Sequence, residues 1–299
     1  MVRKALIVVA VLAFALAACA GKKSTTAAGG QAPSCSKQDL NLVKPSQLTI
    51  GTDNPAYPPY FAGGETKAND DWRFNDPYTG EGFEAAVAYE VAKRMGFANP
   101  QVAWVVAPFG QTFKPGPKDY DFAIEQIEYS DKRAQAVDFS DSYYGVDQAL
   151  VAVKGTPISR ATNVADLKNY ALASEIGTTS YDYIVNTIQP TKEAGAYDKL
   201  TDAVAAINAG QIDGLVVDYP TALYMADPFV QQVKNSTVVG QFETAESGGY
   251  FALAFEKGNP LVACVNKALD EMKADGTLDE IEQVWLSEKT NVGKVPVLS

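Results

Sequence analysis

Short apolar runs alternate with amphipathic segments along the first part of the chain. Residues 48–53 form an apolar run that ends in polar side chains, and residues 102–106 form a second run, so both are predicted strands. Between them, alanines recur at helical spacing over residues 85–92, which predicts a helix. Residues 63–77, which precede this helix, are polar and are predicted to form an inserted surface loop.

The same kinds of element continue through the second part of the chain. Three further strands are predicted, at residues 148–154, 171–174 and 248–255, and residues 210–218 are predicted to form a turn followed by a strand that ends in an acid. An amphipathic helix is predicted at residues 200–209, and another helix begins after the run at residues 177–180. This order of strands and helices indicates an α/β protein.

Residues 119–144 add candidate chemistry to the pattern. A strand is predicted at residues 121–127, a charged turn at residues 130–133 and a second short strand at residues 136–139. Arg133 therefore follows a central strand of the predicted sheet. Ligands of α/β folds bind beyond the carboxyl ends of the strands, so Arg133 is a candidate ligand-binding cation.

The composition narrows the classes of function. A chain of 299 residues can bury two hydrophobic cores. Its net charge of −11 argues against nucleic acid as a partner. The absence of His excludes Ser-His-Asp and Cys-His catalysis and any His-ligated metal site, and three Cys are too few for a zinc cluster. We therefore expect no metal and no cofactor.

The N-terminus has the pattern of a targeting segment. Arg3 and Lys4 are basic, and residues 5–17 form an apolar region that is too short to span a bilayer comfortably. Leu16-Ala17-Ala18-Cys19 is similar to a bacterial lipobox, which implies that residues 1–18 are a signal peptide and that Cys19 carries a lipid. The alternative is an ordinary secretory signal cleaved near this point. Residues 19–45 then comprise the lipidated Cys and a flexible tether.

The motifs around Arg133 resemble a known family. The sequence contains Asp121-Phe122, then Ser130-Asp131-Lys132-Arg133, then Asp138-Phe139-Ser140-Asp141-Ser142-Tyr143-Tyr144. This series resembles the signature of the family 3 solute-binding proteins, the extracytoplasmic receptors of polar amino acid ABC transporters. The resemblance covers the chain from about Leu48 to Trp285.

The resemblance implies a two-lobed α/β fold of the periplasmic-binding-protein type II, with the ligand cleft between the lobes. Lobe 1 would be discontinuous and would comprise residues 46–147 and 249–299. Lobe 2, residues 148–248, would be inserted within it, and two crossover strands would join them. Ligand binding would favour the closed form through contacts with both lobes.

The resemblance also implies roles for individual residues. Arg133 would hold the α-carboxylate of an amino acid, together with the hydroxyls of Thr178, Thr179 and Ser180 from the other lobe. Asp218 would hold the α-ammonium, whereas an isolated acid at the end of a strand is more often a helix cap.

Three further residues would contact the side chain of the ligand. They are Asp53, which follows the first strand, Tyr57 in a Pro-rich loop, and Phe109 after the second strand. For Tyr57 and its neighbour Tyr60, the alternative role is packing within the loop.

Glu128 departs from the family pattern, because relatives bring a Ser or Thr to the α-carboxylate at this position. A carboxylate there would repel the ligand's carboxylate unless a positive charge neutralises it. Either Glu128 turns out of the site and pairs with Lys132 or another base, or the ligand carries extra positive charge that Glu128 and Asp53 meet together. A catalytic pair of Glu128 with Glu125 is disfavoured, because odd spacing in a strand sends the two side chains to opposite faces.

Two cysteines remain after lipidation of the first. Export places Cys35 and Cys264 in an oxidising space, so we expect a disulfide that ties the start of the fold to a late helix. The alternative is two unpaired thiols. The chain-entropy account assigns such a bond about 2–4 kcal/mol.

These features together predict the substrate-binding lipoprotein of an ABC importer, which captures a polar amino acid. Two acids near the side-chain end of the expected site favour a cationic one. The expected partners are the ligand, the permease subunits and the membrane through the lipid anchor, and the receptor is expected to be an extracytoplasmic monomer. We do not expect an enzyme. The alternatives are an enzyme on the same scaffold, a dehydratase or cell-wall lyase, and a ligand sensor for a membrane kinase.

Overall fold

The computed structural model describes residues 34–64, 71–72, 74–228, 230, 232–244, 249–287 and 295–299. The predicted signal peptide, Cys19 and residues 19–33 of the predicted tether lie outside the described residues. Within the described residues, no helix is both long enough and apolar enough to cross a membrane.

The described residues form strands β1 (Leu48–Thr52), β2 (Val102–Val106), β3 (Phe122–Ala123), β4 (Val137–Phe139), β5 (Tyr144–Gly145), β6 (Gln148–Val153), β7 (Leu172–Glu175), β8 (Gly195–Tyr197), β9 (Gly214–Asp218), β10 (Ser236–Phe242), β11 (Tyr250–Phe251) and β12 (Ala254–Glu256). The α-helices are α1 (Phe83–Arg94), α2 (Phe109–Thr112), α3 (Asp131–Ala134), α4 (Thr179–Tyr183), α5 (Leu200–Asn208), α6 (Tyr219–Ala226), α7 (Leu261–Ala274) and α8 (Thr277–Glu282).

The first lobe is built on a five-stranded sheet with the order β2-β1-β3-β12-β4. Strand β1 pairs in parallel with β2 and β3, whereas β12 runs antiparallel to β3 and β4. All five residues of β1 are buried, as expected for a strand that is covered on both faces. The buried faces of α1 and α7 contribute to the main hydrophobic core of this lobe.

The second lobe is built on a five-stranded sheet with the order β10-β6-β9-β7-β8. Successive residues of β6 enter different cores: Ala149 and Val151 pack in one cluster, and Leu150 and Ala152 pack in another. Since successive side chains of a strand point to opposite faces, the apolar run that predicts β6 reflects a strand buried on both faces.

Two chain segments cross between the sheets at a small antiparallel ribbon of β5 and β11. Gly249 precedes β11, and a Cβ atom at this position would lie 2.9 Å from the Val146 carbonyl oxygen and 3.0 Å from Glu128 Oε1. Glycine is therefore required where the crossing segments approach each other closely.

Several predicted elements differ from the structure around Arg133. The strand predicted at residues 121–127 is reduced to β3, because Gln126 has φ of 52° and its backbone N–H turns away to donate to Glu84 Oε1 at 2.6 Å. The predicted charged turn is helix α3, which Ser130 caps through the Arg133 backbone N–H at 3.2 Å. The returning strand predicted at residues 248–255 is divided between β11 and β12.

The ends of the described fold also differ from the predicted boundaries. Residues 34–45 are not part of a free tether, because the backbone N–H of Val43 donates to Asp121 Oδ1 at 2.8 Å, and Leu40 and Leu42 pack on the first core. Residues 295–299 are expected in lobe 1, but Val297 pairs with Gln241 of β10, so they lie on the second sheet.

The described part of the inserted segment is not simply a surface decoration. Trp72 is 2% exposed and belongs to the first core, and the side-chain amide of Asn75 donates to the Ala56 carbonyl at 2.8 Å. The segment is therefore fastened to the Pro-rich loop that follows β1.

Candidate ligand-binding site

A cavity of about 560 Å³ lies between the two lobes. Residues at or just after the carboxyl ends of parallel strands form its walls. In the first lobe these are Asp53 after β1, Phe109 after β2 and Glu125 after β3. In the second lobe they are Glu175 at the end of β7 and Asp218 at the end of β9. This is where α/β sheets bind ligands, and the volume suits a small molecule.

Asp218 is shared between a helix cap and the cavity. Its Oδ1 accepts the backbone N–H of Thr221 at 3.0 Å, which caps α6, and it also accepts the Tyr60 hydroxyl from the other lobe. Burial raises the pKa of Asp218, and these hydrogen bonds oppose the rise. The alternative role as a helix cap is therefore present in the structure, and Asp218 also lies in the wall of the cavity, where the ligand role remains a prediction.

The first-lobe wall contains the other predicted side-chain contacts. Asp53, Tyr57 and Phe109 all line the cavity and are partly exposed within it. Burial raises the pKa of Asp53, while the backbone N–H of Asn54, which donates at 2.8 Å, opposes the rise. Tyr60 is 1% exposed and packs in the core of the first lobe, in addition to its hydrogen bond to Asp218. Packing within the lobe is therefore part of its role.

Three acids in the cavity wall, Glu125, Glu175 and Asp198, are absent from the predicted site. Glu125 is 4% exposed, and Glu175 accepts the backbone N–H of Leu200 at 3.0 Å. Burial raises the pKa of Glu175 to about 7. From the sequence, Glu125 is considered only as a catalytic partner of Glu128, and that pairing is disfavoured. A continuous strand is expected there, and it would send the two side chains to opposite faces. The left-handed backbone at Gln126 breaks that alternation, and the sequence contains no signal of it.

Arg133 does not line the cavity. One guanidinium nitrogen donates to the Glu128 carbonyl at 2.6 Å, and the other donates to the Gly177 carbonyl of the second lobe at 2.8 Å. The guanidinium also lies over the rings of Phe113, at 4.4 Å, and Phe109, at 5.3 Å from the ring centroids. Arg133 thus adjoins the cavity through Phe109 and links the lobes.

Glu128 lies outside the cavity lining. One alternative was that it pairs with Lys132 or another base, but its hydrogen-bond partners are a hydroxyl and an amide. Its carboxylate accepts the hydroxyl of Thr179 and the side-chain amide of Gln148, the latter at 3.3 Å. Burial raises the pKa of Glu128 to about 7, against the hydrogen bond from Thr179 and the charge of Arg133. The Thr179 hydroxyl, which was expected to donate to the ligand's carboxylate, therefore donates to the carboxylate of Glu128.

The other hydroxyls at the start of α4 also have partners within the chain. Thr178 caps α4 by accepting the backbone N–H of Tyr181 at 3.1 Å and donates to the Glu175 carbonyl at 2.7 Å. Ser180 donates to the side chain of Gln148.

The nine predicted ligand residues thus form two groups. Asp53, Tyr57, Phe109 and Asp218 line the cavity, whereas Glu128, Arg133, Thr178, Thr179 and Ser180 lie outside its lining. In this second group, Arg133 donates to Gly177 and Thr179 donates to Glu128 across the lobes, while Thr178 bonds within the second lobe. Within the described residues, no group of three or more Cys, Asp or Glu is arranged to hold a metal ion.

Residues 48–288 match the sequence profile of the bacterial extracellular solute-binding proteins, family 3. The chain belongs to this family. It is 30% identical over 255 residues to an L-cystine-binding protein of Escherichia coli strain K12, a match that covers 82% of this chain and 85% of that protein. It is 29% identical over 211 residues to an ABC transporter glutamine-binding protein of Bacillus subtilis strain 168, covering 70% and 73% of the two chains.

The fold agrees with solved structures of the same kind. An ancestral arginine-binding protein bound to arginine superposes with a TM-score of 0.63 and 26% identity, over 81% of this chain and 99% of that chain. This family 3 protein is accordingly a two-lobed solute-binding protein, and its relatives bind amino acids for ABC transporters.

Proposed function

We propose that this family 3 protein is the lipid-anchored receptor of an ABC importer and captures a polar, cationic amino acid between its lobes. The observation that carries the proposal is the cavity, which receives acidic residues from both lobes and aromatic residues from the first. A ligand held by both walls favours the closed form, which is how such a receptor signals occupancy.

The proposed orientation follows the two groups of residues. The α-ammonium pairs with Asp218. The α-carboxylate lies at the Phe109 end of the cavity. There, Nη2 of Arg133 leaves the Gly177 carbonyl and donates to the ligand's carboxylate instead. Tyr57 and Asp53 then face the body and side chain of the ligand. The arginine-binding structure and the acidic walls support a cationic ligand.

We propose that Cys19 carries the lipid and that the partners are a permease and its ATPase. The receptor is proposed to release its ligand unchanged, since the family is one of transport receptors. It is further proposed to act as a monomer on the outer side of the cell membrane.

Uptake of labelled amino acids by cells that lack the gene tests the proposal. We expect deletion to abolish high-affinity import of one or a few amino acids and a plasmid-borne copy to restore it. Unchanged uptake of every amino acid after deletion would contradict the proposal.

Cell fractionation tests the lipid anchor separately. A Cys19→Ser variant should move from the membrane fraction to the soluble fraction, because it lacks the thiol that carries the lipid. The matched control is Thr25→Ser, which alters the tether but keeps the lipobox and should remain in the membrane fraction. Retention of the Cys19→Ser variant in the membrane fraction would contradict lipidation at this residue.

A further inference from the structure

Glu125 is a buried carboxyl to which the proposed orientation has assigned no role. It follows β3, is 4% exposed and lines the cavity. Neither of its carboxyl oxygens has a hydrogen-bond partner within the described residues. The hydroxyl of Thr112 lies within reach of Glu125 and opposes the rise in its pKa, but a hydroxyl has one proton, and this one is donated to the Phe109 carbonyl at 2.7 Å. A buried polar group without a partner costs about 1–3 kcal/mol, so this carboxyl requires an explanation.

The neighbouring carboxyl of Glu84 shows how this fold satisfies a buried structural acid. Glu84 is fully buried and does not line the cavity. Its two oxygens accept hydrogen bonds from the backbone and side chain of Gln126 and from the hydroxyl of Tyr143. Of these two nearby carboxyls, the one that faces the cavity is the one without donors. The donor that Glu125 lacks is therefore expected from a molecule in the cavity.

The charges around Glu125 indicate what kind of donor this is. Burial raises the pKa of Glu125 well above its usual range, and the negative charges of Asp53, Glu84 and Glu175 raise it further. The guanidinium of Arg133, whose charge also acts on Glu125, is directed at two backbone carbonyls.

Five carboxyls line the cavity, those of Asp53, Glu125, Glu175, Asp198 and Asp218. Lys199 is the only base among the described lining residues. It is exposed, and its charge acts on Asp53 and Glu175. A neutral donor would leave this excess of negative charge in place, whereas a cation would offset it.

We propose that Glu125 receives the side-chain cation of the ligand and that this contact makes the receptor select amino acids that end in a guanidinium or ammonium group. The inference rests on the proposed function, because it takes Asp218 as the partner of the α-ammonium. From the sequence, Glu128 was expected to meet the ligand's positive charge together with Asp53; here Glu125 takes that role. Asp53 and Glu175 line the same cavity, and their charges act on Glu125.

The test compares arginine with citrulline, which has the same shape but carries a neutral urea group. Calorimetry on the full-length protein should show that arginine binds at least about 30-fold more tightly than citrulline, the ratio that corresponds to loss of a buried charge partner. In Glu125→Gln the two affinities should converge, because arginine binding weakens. Glu84→Gln, which removes a buried carboxyl outside the cavity, should keep the preference for arginine.

A second measurement separates a ligand role from a structural one. If Glu125 serves the ligand, Glu125→Gln should raise the unfolding midpoint of the empty protein, since it removes one acid from a cluster of mutually repelling carboxyls and keeps the size of the side chain. A lower midpoint together with an unchanged ratio of arginine to citrulline affinity would overturn the inference.

The outcomes also distinguish the inference from the proposed function. Tight binding of a neutral amino acid such as glutamine, with arginine excluded, would overturn the inference and leave the amino acid receptor standing. Binding of agmatine, which is arginine without its carboxylate, in the absence of binding by any amino acid would overturn the proposed function. A loss of agmatine binding in Glu125→Gln would then still support the role of Glu125.

Discussion

At the scale of single residues, Asp218 combines a structural role with a place in the cavity wall. It caps α6 through one oxygen and accepts Tyr60 of the other lobe, while it remains part of the cavity wall. Asparagine at the start of a helix caps about as well as aspartate. The two roles can therefore be separated by removing the charge alone.

We expect Asp218→Asn to weaken binding of the amino acid ligand by about 2 kcal/mol or more, because the α-ammonium loses its charged partner. The unfolding midpoint of the empty protein should change little, since the cap is kept. Calorimetry and thermal unfolding of the same preparation measure the two effects. Intact affinity in a well-folded variant would show that the ammonium lies elsewhere.

The sequence indicates which residues follow strands more clearly than it indicates what surrounds their side chains. Asp53 and Asp218 follow strands that the sequence indicates clearly, and both lie in the cavity wall. Glu128 was expected at the ligand and Glu125 was not, whereas Glu125 lines the cavity and Glu128 lies outside its lining. Gln126, which lies between them, has a positive φ that the sequence does not reveal. Backbone conformation of this kind at a non-glycine residue is set by tertiary contacts, here the hydrogen bond from Gln126 to Glu84.

At the scale of elements, the strongest predictions concern strands buried on both faces and helices with an apolar stripe. The predicted strand at residues 48–53 agrees with β1, which is buried throughout, and the predicted helix at residues 200–209 agrees with α5, each to within one residue. Short elements were not predictable. Helix α3 and strands β11 and β12 are each only two to four residues long, so neighbouring contacts decide their conformation rather than their own periodicity.

The disulfide is an element-scale device that fastens the start of the fold to α7. Cys35 and Cys264 are joined across a sequence separation of 229 residues, with their Cα atoms 5.3 Å apart. Cys264 lies in the first core, and neither cysteine lines the cavity. The bond therefore belongs to the stability of the first lobe rather than to ligand selection.

We expect Cys35→Ser to lower the free energy of unfolding by about 2–4 kcal/mol, because the unfolded chain gains the freedom that the closed loop removed. Urea denaturation measures this loss, and reductant should lower the stability of the natural protein but not of the variant. Ligand affinity should be unchanged. An equal urea midpoint for the variant and the oxidised protein would contradict this expectation.

At the scale of the whole molecule, side chains of the two lobes hold each other across the cavity. Tyr60 donates to Asp218, Arg133 donates to the Gly177 carbonyl, and Thr179 donates to Glu128. The chain thus supplies some of the interlobe contacts itself, and the ligand adds those of the cavity wall. Closure of this kind is a shift between two arrangements that the ligand biases by its contacts with both.

The two-lobed architecture was predictable from the sequence because motifs of both lobes occur in order along the chain. The interlobe network was not, since it depends on side chains that are far apart in the sequence, such as Tyr60 and Asp218, which are 158 positions apart. The same limit explains the C-terminus. Residues 295–299 pair with β10 through backbone hydrogen bonds, which carry little sequence signal.

The capture of an amino acid between the lobes can be measured by calorimetric titration of the purified full-length protein with the twenty amino acids, ornithine and citrulline. We expect one cationic amino acid to bind per chain, and a hundredfold excess of it over its dissociation constant should stabilise the fold by about 2.7 kcal/mol. No binding of any amino acid would contradict the account.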